Sequence, residues 1–270
     1  MPADQRLAAL KVAGPYFCEL RHVSSMTLLR RLKRLCALSF LLLSLDVANA
    51  KNADEFFKPR DQLALATAAA AGRTADMEAS VRRGANVNFQ GVGGMTALIW
   101  AVGHESKEGV SWLLNNGADP NLVYAPDGNS CVTIAAMEDD PWFLKEILAH
   151  GGNPNYQNPI NKHTPLMNAI VPVHPDNAKA LLAVGADPNT FDHQGYPALF
   201  NAAANQRFEM VYDMLQAGAD PTFSTPRRGG NALVRVLQQS RAEPGTPLYE
   251  WLTKVKYLLK EKGLDVDTVQ

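Results

Sequence analysis

The chain has 270 residues, 26 Lys+Arg against 27 Asp+Glu, 20% charged residues and 46% apolar residues. This ordinary globular composition excludes collagen-like and wholly disordered classes. The near balance hides an asymmetry: residues 1–50 hold seven basic and three acidic groups, which leaves 19 basic and 24 acidic in residues 51–270, a net −5. A net-acidic body is a poor holder of nucleic-acid phosphates, so no nucleic-acid partner is expected. Of the three cysteines only Cys131 lies beyond residue 50. One thiol can form neither an internal disulfide nor a structural zinc site, and no metal or cofactor is expected.

Residues 1–50 read as a signal-peptide region. Arg30, Arg31, Lys33 and Arg34 form a positive cluster, residues 35–45 (LCALSFLLLSL) are uncharged, and Ala48-Asn49-Ala50 supplies a small-x-small end. That is the order of a secretory leader. Eleven residues span about 16 Å as a helix, short of a bilayer core of about 30 Å, so a stable membrane anchor and a buried apolar helix are the weaker readings. Met26, just ahead of the basic cluster, is the suspected start of translation. Cleavage after Ala50 would leave a mature chain in the periplasm or secreted, beginning with a short segment, 51–60.

A repeat organises the rest. Gly84-Ala85-Asn86-Val87-Asn88 returns as Gly117-Ala118-Asp119-Pro120-Asn121, Gly151-Gly152-Asn153-Pro154-Asn155, Gly185-Ala186-Asp187-Pro188-Asn189 and Gly218-Ala219-Asp220-Pro221-Thr222. In phase with it run Thr96-Ala97-Leu98, Ser130-Cys131-Val132, Thr164-Pro165-Leu166, Pro197-Ala198-Leu199 and Asn231-Ala232-Leu233. Each glycine follows an apolar helical run and suits the left-handed residue past a helix C-terminus. The following Asp-Pro or Asn-Pro step stops the helix. Asp127-Gly128 and Gln194-Gly195 then turn the chain in a hairpin, and Thr or Ser caps the next helix. Small alanines (Ala101, Ala135, Ala169, Ala202) let neighbouring helices approach closely.

These motifs resemble the ankyrin repeat family, whose unit is about 33 residues long with a Thr-Pro-Leu-His-x-Ala signature. The resemblance implies an all-α solenoid of helix-turn-helix units with β-hairpin-like turns, five to six units including caps. The units fall at about 61–88, 89–121, 122–155, 156–189, 190–222 and 223–267. The histidine slot of the signature holds Ile99, Thr133, Met167, Phe200 and Val234. In the family that histidine helps tie adjacent hairpins, so these hairpins are expected to be less firmly held. The first unit reads as an N-terminal cap: a helix from Leu63 to Ala71, Gly72, and a second helix ending at Gly84. The last is stretched by Glu243-Pro244-Gly245-Thr246-Pro247 before a long helix, about Leu248 to Lys262, whose lysines read as a wet outer face.

No catalytic constellation survives inspection. Nucleophile elbow, Walker loop, dinucleotide fingerprint and HExxH are all missing, so the chain is not expected to be an enzyme. His163 and His193, near successive hairpin tips, read as exposed tip residues, not a metal or acid–base pair. Glu138-Asp139-Asp140 reads as N-terminal charge on the next helix, and Cys131 as a buried inert thiol. Tyr124, Tyr156, Phe191, Tyr196 and Phe223 lie on or beside hairpins, where hairpin packing and an exposed binding ridge weigh equally.

In the family, hairpin tips and late first-helix positions choose a protein partner. Carried over, these are Val92, Met95 and His104; Pro126, Asp127, Asn129, Met137 and Glu138; Ile160, Asn161, His163 and Val171; His193, Gln194, Tyr196 and Asn205; and Arg227, Arg228 and Gln239. Pro172 and Pro175 depart from the pattern, so 171–175 is expected to project as a contact loop. Exported bacterial proteins of this look suggest an inhibitor or immunity protein against an envelope-acting effector such as a lipase. The alternative is a periplasmic scaffold or stress-protection adaptor. The expected partner is another protein, a toxic effector or hydrolase, and the free protein is expected to be a monomer.

Overall fold

A computed structural model describes residues 53–171, 173–224 and 231–266. The chain divides into two units, 1–50 and 51–270, and all described residues belong to the second. The leader expected in residues 1–50 lies outside the described residues.

Twelve helices follow one another in pairs among these residues: α1 (Arg60–Ala70) and α2 (Thr74–Arg82), α3 (Ala97–Gly103) and α4 (Lys107–Asn115), α5 (Cys131–Ala135) and α6 (Pro141–Ala149), α7 (Pro165–Ile170) and α8 (Pro175–Ala183), α9 (Ala198–Ala204) and α10 (Phe208–Gln216), α11 (Ala232–Gln238) and α12 (Pro247–Glu261). First helices stack on first helices and second on second. Ala101, Ala135, Ala169 and Ala202 are fully buried in the first-helix layer, beside Leu98, Val132, Leu166 and Leu199. Each fully buried Leu or Val contributes about 1.5–3 kcal/mol, so the core repeats with the sequence.

The helix starts are capped as the residues dictate. Thr96 Oγ1 accepts from the Ile99 N–H at 3.1 Å, Thr164 Oγ1 from Met167 at 3.3 Å, and Asn231 Oδ1 from Val234 at 3.0 Å. At α5, Ser130 and Thr133 cap each other reciprocally. At α9, Pro197 supplies no side-chain cap. The five motif glycines all adopt positive φ, from 85° to 107°.

Between helix pairs the chain makes tight loops. One forms a short antiparallel ladder, β1 (Val123–Tyr124) with β2 (Asn129–Ser130), with Val123 opposite Ser130. Another closes with a single bridge between Phe191 and Pro197. Within the segment expected ahead of the repeats, Phe56 and Phe57 are buried against Trp100, and the Phe56 carbonyl accepts from the Val92 N–H at 3.0 Å. Phe56 thus stands where a preceding hairpin would.

Candidate protein-binding surface

The loops form a row because each is bonded to the next. The Ala125 N–H donates to the Gly93 carbonyl at 2.8 Å. Asn158 Nδ2 donates to the Asp127 carbonyl at 2.9 Å and to Asn129 Oδ1 at 3.0 Å. The Tyr156 hydroxyl donates to the Gly128 carbonyl at 2.6 Å. One loop further on, the His193 N–H donates to the Asn161 carbonyl at 3.1 Å and Gln157 Nε2 to the Phe191 carbonyl at 3.0 Å. The hairpins are therefore tied without the signature histidine. Loop side chains and backbone amides replace it, contrary to the expectation of loosely held hairpins. Asn158, 1% exposed, is the central tie. Nothing in its sequence surroundings marks it as a tie, because the partners of its Nδ2 come from another unit.

This stitching sorts the predicted contact residues. Val92, Pro126, Ile160, His193 and Gln194 are exposed on the loops, and His104, Val171, Asn205 and Gln239 at the first-helix ends. Asp127, Asn129 and Asn161 are half-buried in the inter-loop hydrogen bonding, and Met137 and Glu138 are half-buried at their turn; His163, expected at an exposed tip, is half-buried and bonded within its own loop, to the Asn158 N–H and Asn161 Oδ1. Arg227 and Arg228 lie outside the described residues, as does Pro172. Met95 needs correction: it is fully buried, closing the loop over α3, and presents nothing to a partner. Tyr196 is half-buried and stacked on Phe200, ring centroids 4.7 Å apart. Tyr124 and Phe223 are buried and Tyr156 is spent on the Gly128 carbonyl, while Phe191 stays about half exposed. Among the five loop aromatics, packing takes four and the ridge keeps one. Val171 and Val173 are exposed beside Pro175, so the third unit's inter-helix link does present apolar surface.

Electrostatics follow the burial. Desolvation pushes the Asp127 carboxyl above its ordinary range and the His163 imidazole below its own. Asn168, Asp192 and His193 act on His163 as smaller influences. Burial raises the Cys131 thiol far above its usual value, which leaves it inert. Asp140 caps α6 through the Trp142 N–H and meets Lys107 Nζ at 2.6 Å, which holds its carboxyl below the usual range. Among the described residues no group of three or more His, Cys, Asp or Glu is arranged to hold a metal, and no helix is long and apolar enough to cross a membrane.

Residues 132–225 match the ankyrin repeats family as three copies, and residues 93–124 match a further ankyrin repeat. The chain is 34% identical over 206 residues to Protein PhlB of Serratia liquefaciens, covering 73% of this chain and 90% of that one. This chain belongs to the ankyrin repeat family. Human ankyrin repeat and SOCS box protein 6 is 30% identical over 122 residues, 44% of this chain and 28% of that protein. The crystal structure of the human ASB11 ankyrin repeat domain superposes with a TM-score of 0.55 at 22% identity, covering 76% of this chain and 85% of that one, which shows the shared fold. Ankyrin repeats mediate binding to other proteins and are typically non-enzymatic scaffolds. Here the repeat presents a stitched row of loops backed by the first-helix layer.

Proposed function

We propose that this ankyrin-repeat chain is exported to the periplasm and there binds and inhibits an envelope-acting effector of the hydrolase class, such as a lipase. The observation that carries export is the order of the first fifty residues: Arg30 to Arg34, an uncharged apolar run, then Ala48-Asn49-Ala50. Binding is supported by the fixed row of loops, which displays Val92, Pro126, Ile160 and Phe191 to solvent. A preorganised surface loses little entropy on association. Similarity along 90% of a bacterial protein of comparable length supports a bacterial setting.

The test is affinity capture with the full-length chain, tagged at its C-terminus and expressed in its own cells, from envelope and cytoplasmic fractions separately. One stoichiometric hydrolase from the envelope fraction, inhibited by the purified chain, is the expected result. Recovery of the chain with residues 1–50 intact in the cytoplasm would overturn export. Capture of envelope proteins with no loss of any hydrolytic activity would favour the scaffold reading.

A further inference from the structure

Four described loops place a positive-φ residue at the same position ahead of a helix, and in one of them that residue carries a side chain. The residue two before each helix cap has positive φ: Gly94 at 84°, Gly128 at 71°, Lys162 at 61° and Gly195 at 79°. The turn is closed alike in two of them, with the Gly128 N–H on the Tyr124 carbonyl at 2.9 Å and the Lys162 N–H on the Asn158 carbonyl at 2.8 Å. A left-handed residue with a Cβ costs roughly 1–2 kcal/mol that glycine avoids. Strain of this kind concentrates where a side chain is needed for binding.

The same loop carries Ile160, 62% exposed, the most exposed large aliphatic side chain among the described residues. Its position is fixed. The Ile160 N–H donates to Asn158 Oδ1 at 2.9 Å, the Asn158 N–H to the His163 carbonyl at 2.9 Å, and Gln157 Nε2 to the Lys162 carbonyl at 3.1 Å. Pro126 is exposed on the preceding loop and Phe191 on the following one, both loops bonded to this one. Each neighbouring loop carries a carboxylate, yet the fully exposed formal charge on these three loops is a cation. Asp192 is 9% exposed and accepts from the Gln194 and Tyr196 N–H groups at 2.9 Å. Asp127 is half-buried and accepts from the Asn129 N–H. Lys162 is exposed, and among the described residues no carboxylate pairs with it.

We infer that the loop ridge takes an acidic, apolar segment of another protein, with Ile160 as the apolar anchor and the Lys162 ammonium pairing with the segment's carboxylate. The net charge of −5 points toward a basic partner; on these three loops the carboxylates are held by backbone amides and the exposed charge is the Lys162 cation, and the local charge governs contact. This inference rests on the ridge being the binding face named above, but not on export or inhibition.

The test pans a library of 12-residue peptides displayed on phage against the purified full-length chain. The enriched peptides are then titrated calorimetrically against variants. Enriched peptides should carry Asp or Glu within three residues of Leu, Ile, Phe or Trp. Lys162→Glu and Ile160→Ser should each weaken their binding about tenfold with circular dichroism spectra unchanged. Lys162→Gly should melt higher than the parent yet bind about as weakly as Lys162→Glu, the signature of strain kept for contact. Basic peptides, no enrichment, or binding indifferent to Ile160→Ser and Lys162→Glu would overturn the inference. A chain that passes this test yet captures no hydrolase would refute the proposed function alone.

Discussion

The side chain of Asn121 clamps the next unit at Gly151. Its Nδ2 donates to the Gly151 carbonyl at 3.0 Å while its Oδ1 accepts from the Asn153 N–H at 2.8 Å. The same two bonds run from Asn88 to Gly117 and Asp119, from Asn155 to Gly185 and Asp187, and from Asn189 to Gly218 and Asp220. In each motif the Asp or Asn two residues earlier accepts from the backbone N–H of the last residue, for example Asn121 N–H on Asp119 Oδ1 at 2.8 Å. The recurring motif is therefore a ladder: its first polar residue sets the local turn and its last reaches across the unit boundary.

Asn155→Ala removes two inter-unit hydrogen bonds, each worth about 0.5–1.5 kcal/mol net. A loss of about 1–3 kcal/mol in urea unfolding is expected, with a broader transition as neighbouring units uncouple. Thr222 holds the asparagine slot of the last motif but bonds only Asp220 in its own turn. Gly263-Leu264-Asp265 repeats the receiving motif, with Gly263 at φ 81°. Thr222→Asn should add a rung and raise stability by up to about 1 kcal/mol; an unchanged urea midpoint would show the last unit out of register.

Gly109 sits where α4 meets α1. A Cβ there would fall 2.0 Å from the Ala69 carbonyl oxygen and 2.8 Å from Ser106 Oγ. Backbone cannot yield as a flexible side chain can, so Gly109→Ala should cost about 1–3 kcal/mol despite the better helix propensity of alanine. A higher melting temperature in this variant would refute the close approach.

Burial holds the His163 imidazole below its ordinary value. The unfolded chain then binds a proton more readily than the folded one. The stability contributed by the neutral ring is fully present above the unfolded value, near 6.5, and is lost as pH falls through the folded value. Melting temperature should decline as pH drops below about 6.5, and His163→Gln should flatten that decline. The raised carboxyl of Asp127 has the opposite sign: its contribution is present below the unfolded carboxylate value and is lost as pH rises through the folded one. A pH profile identical in parent and His163→Gln would exclude the histidine as its cause.

Two aromatics on one loop should behave differently. Tyr196 stacks on Phe200, so Tyr196→Ala should cost about 1–2 kcal/mol of stability. Phe191 is about half exposed, so Phe191→Ser should leave the melt within about 0.5 kcal/mol of the parent, as surface changes do. Equal losses would show that both rings serve loop packing.

The sequence by itself determined the repeat, its period and the chemistry of each local turn. Gly117, the Asp119-Pro120 step and the Thr96 cap act within a few residues of chain, so spacing alone reveals them. It also placed Cys131 in a packed interior and Asp140 at a helix start. Tertiary structure decided everything that depends on a neighbouring unit. Met95 and Ile160 are alike as apolar residues on loops, yet Met95 is sealed over α3 and Ile160 projects into solvent. Asn158 and Asn161 look equivalent in sequence, yet Asn158 is buried as a tie while Asn161 takes the next loop on its carbonyl. Stacking joins residues about 30 positions apart, and that register brings together side chains whose pairing no local pattern records. The ridge that remains exposed is what those cross-unit bonds leave unused.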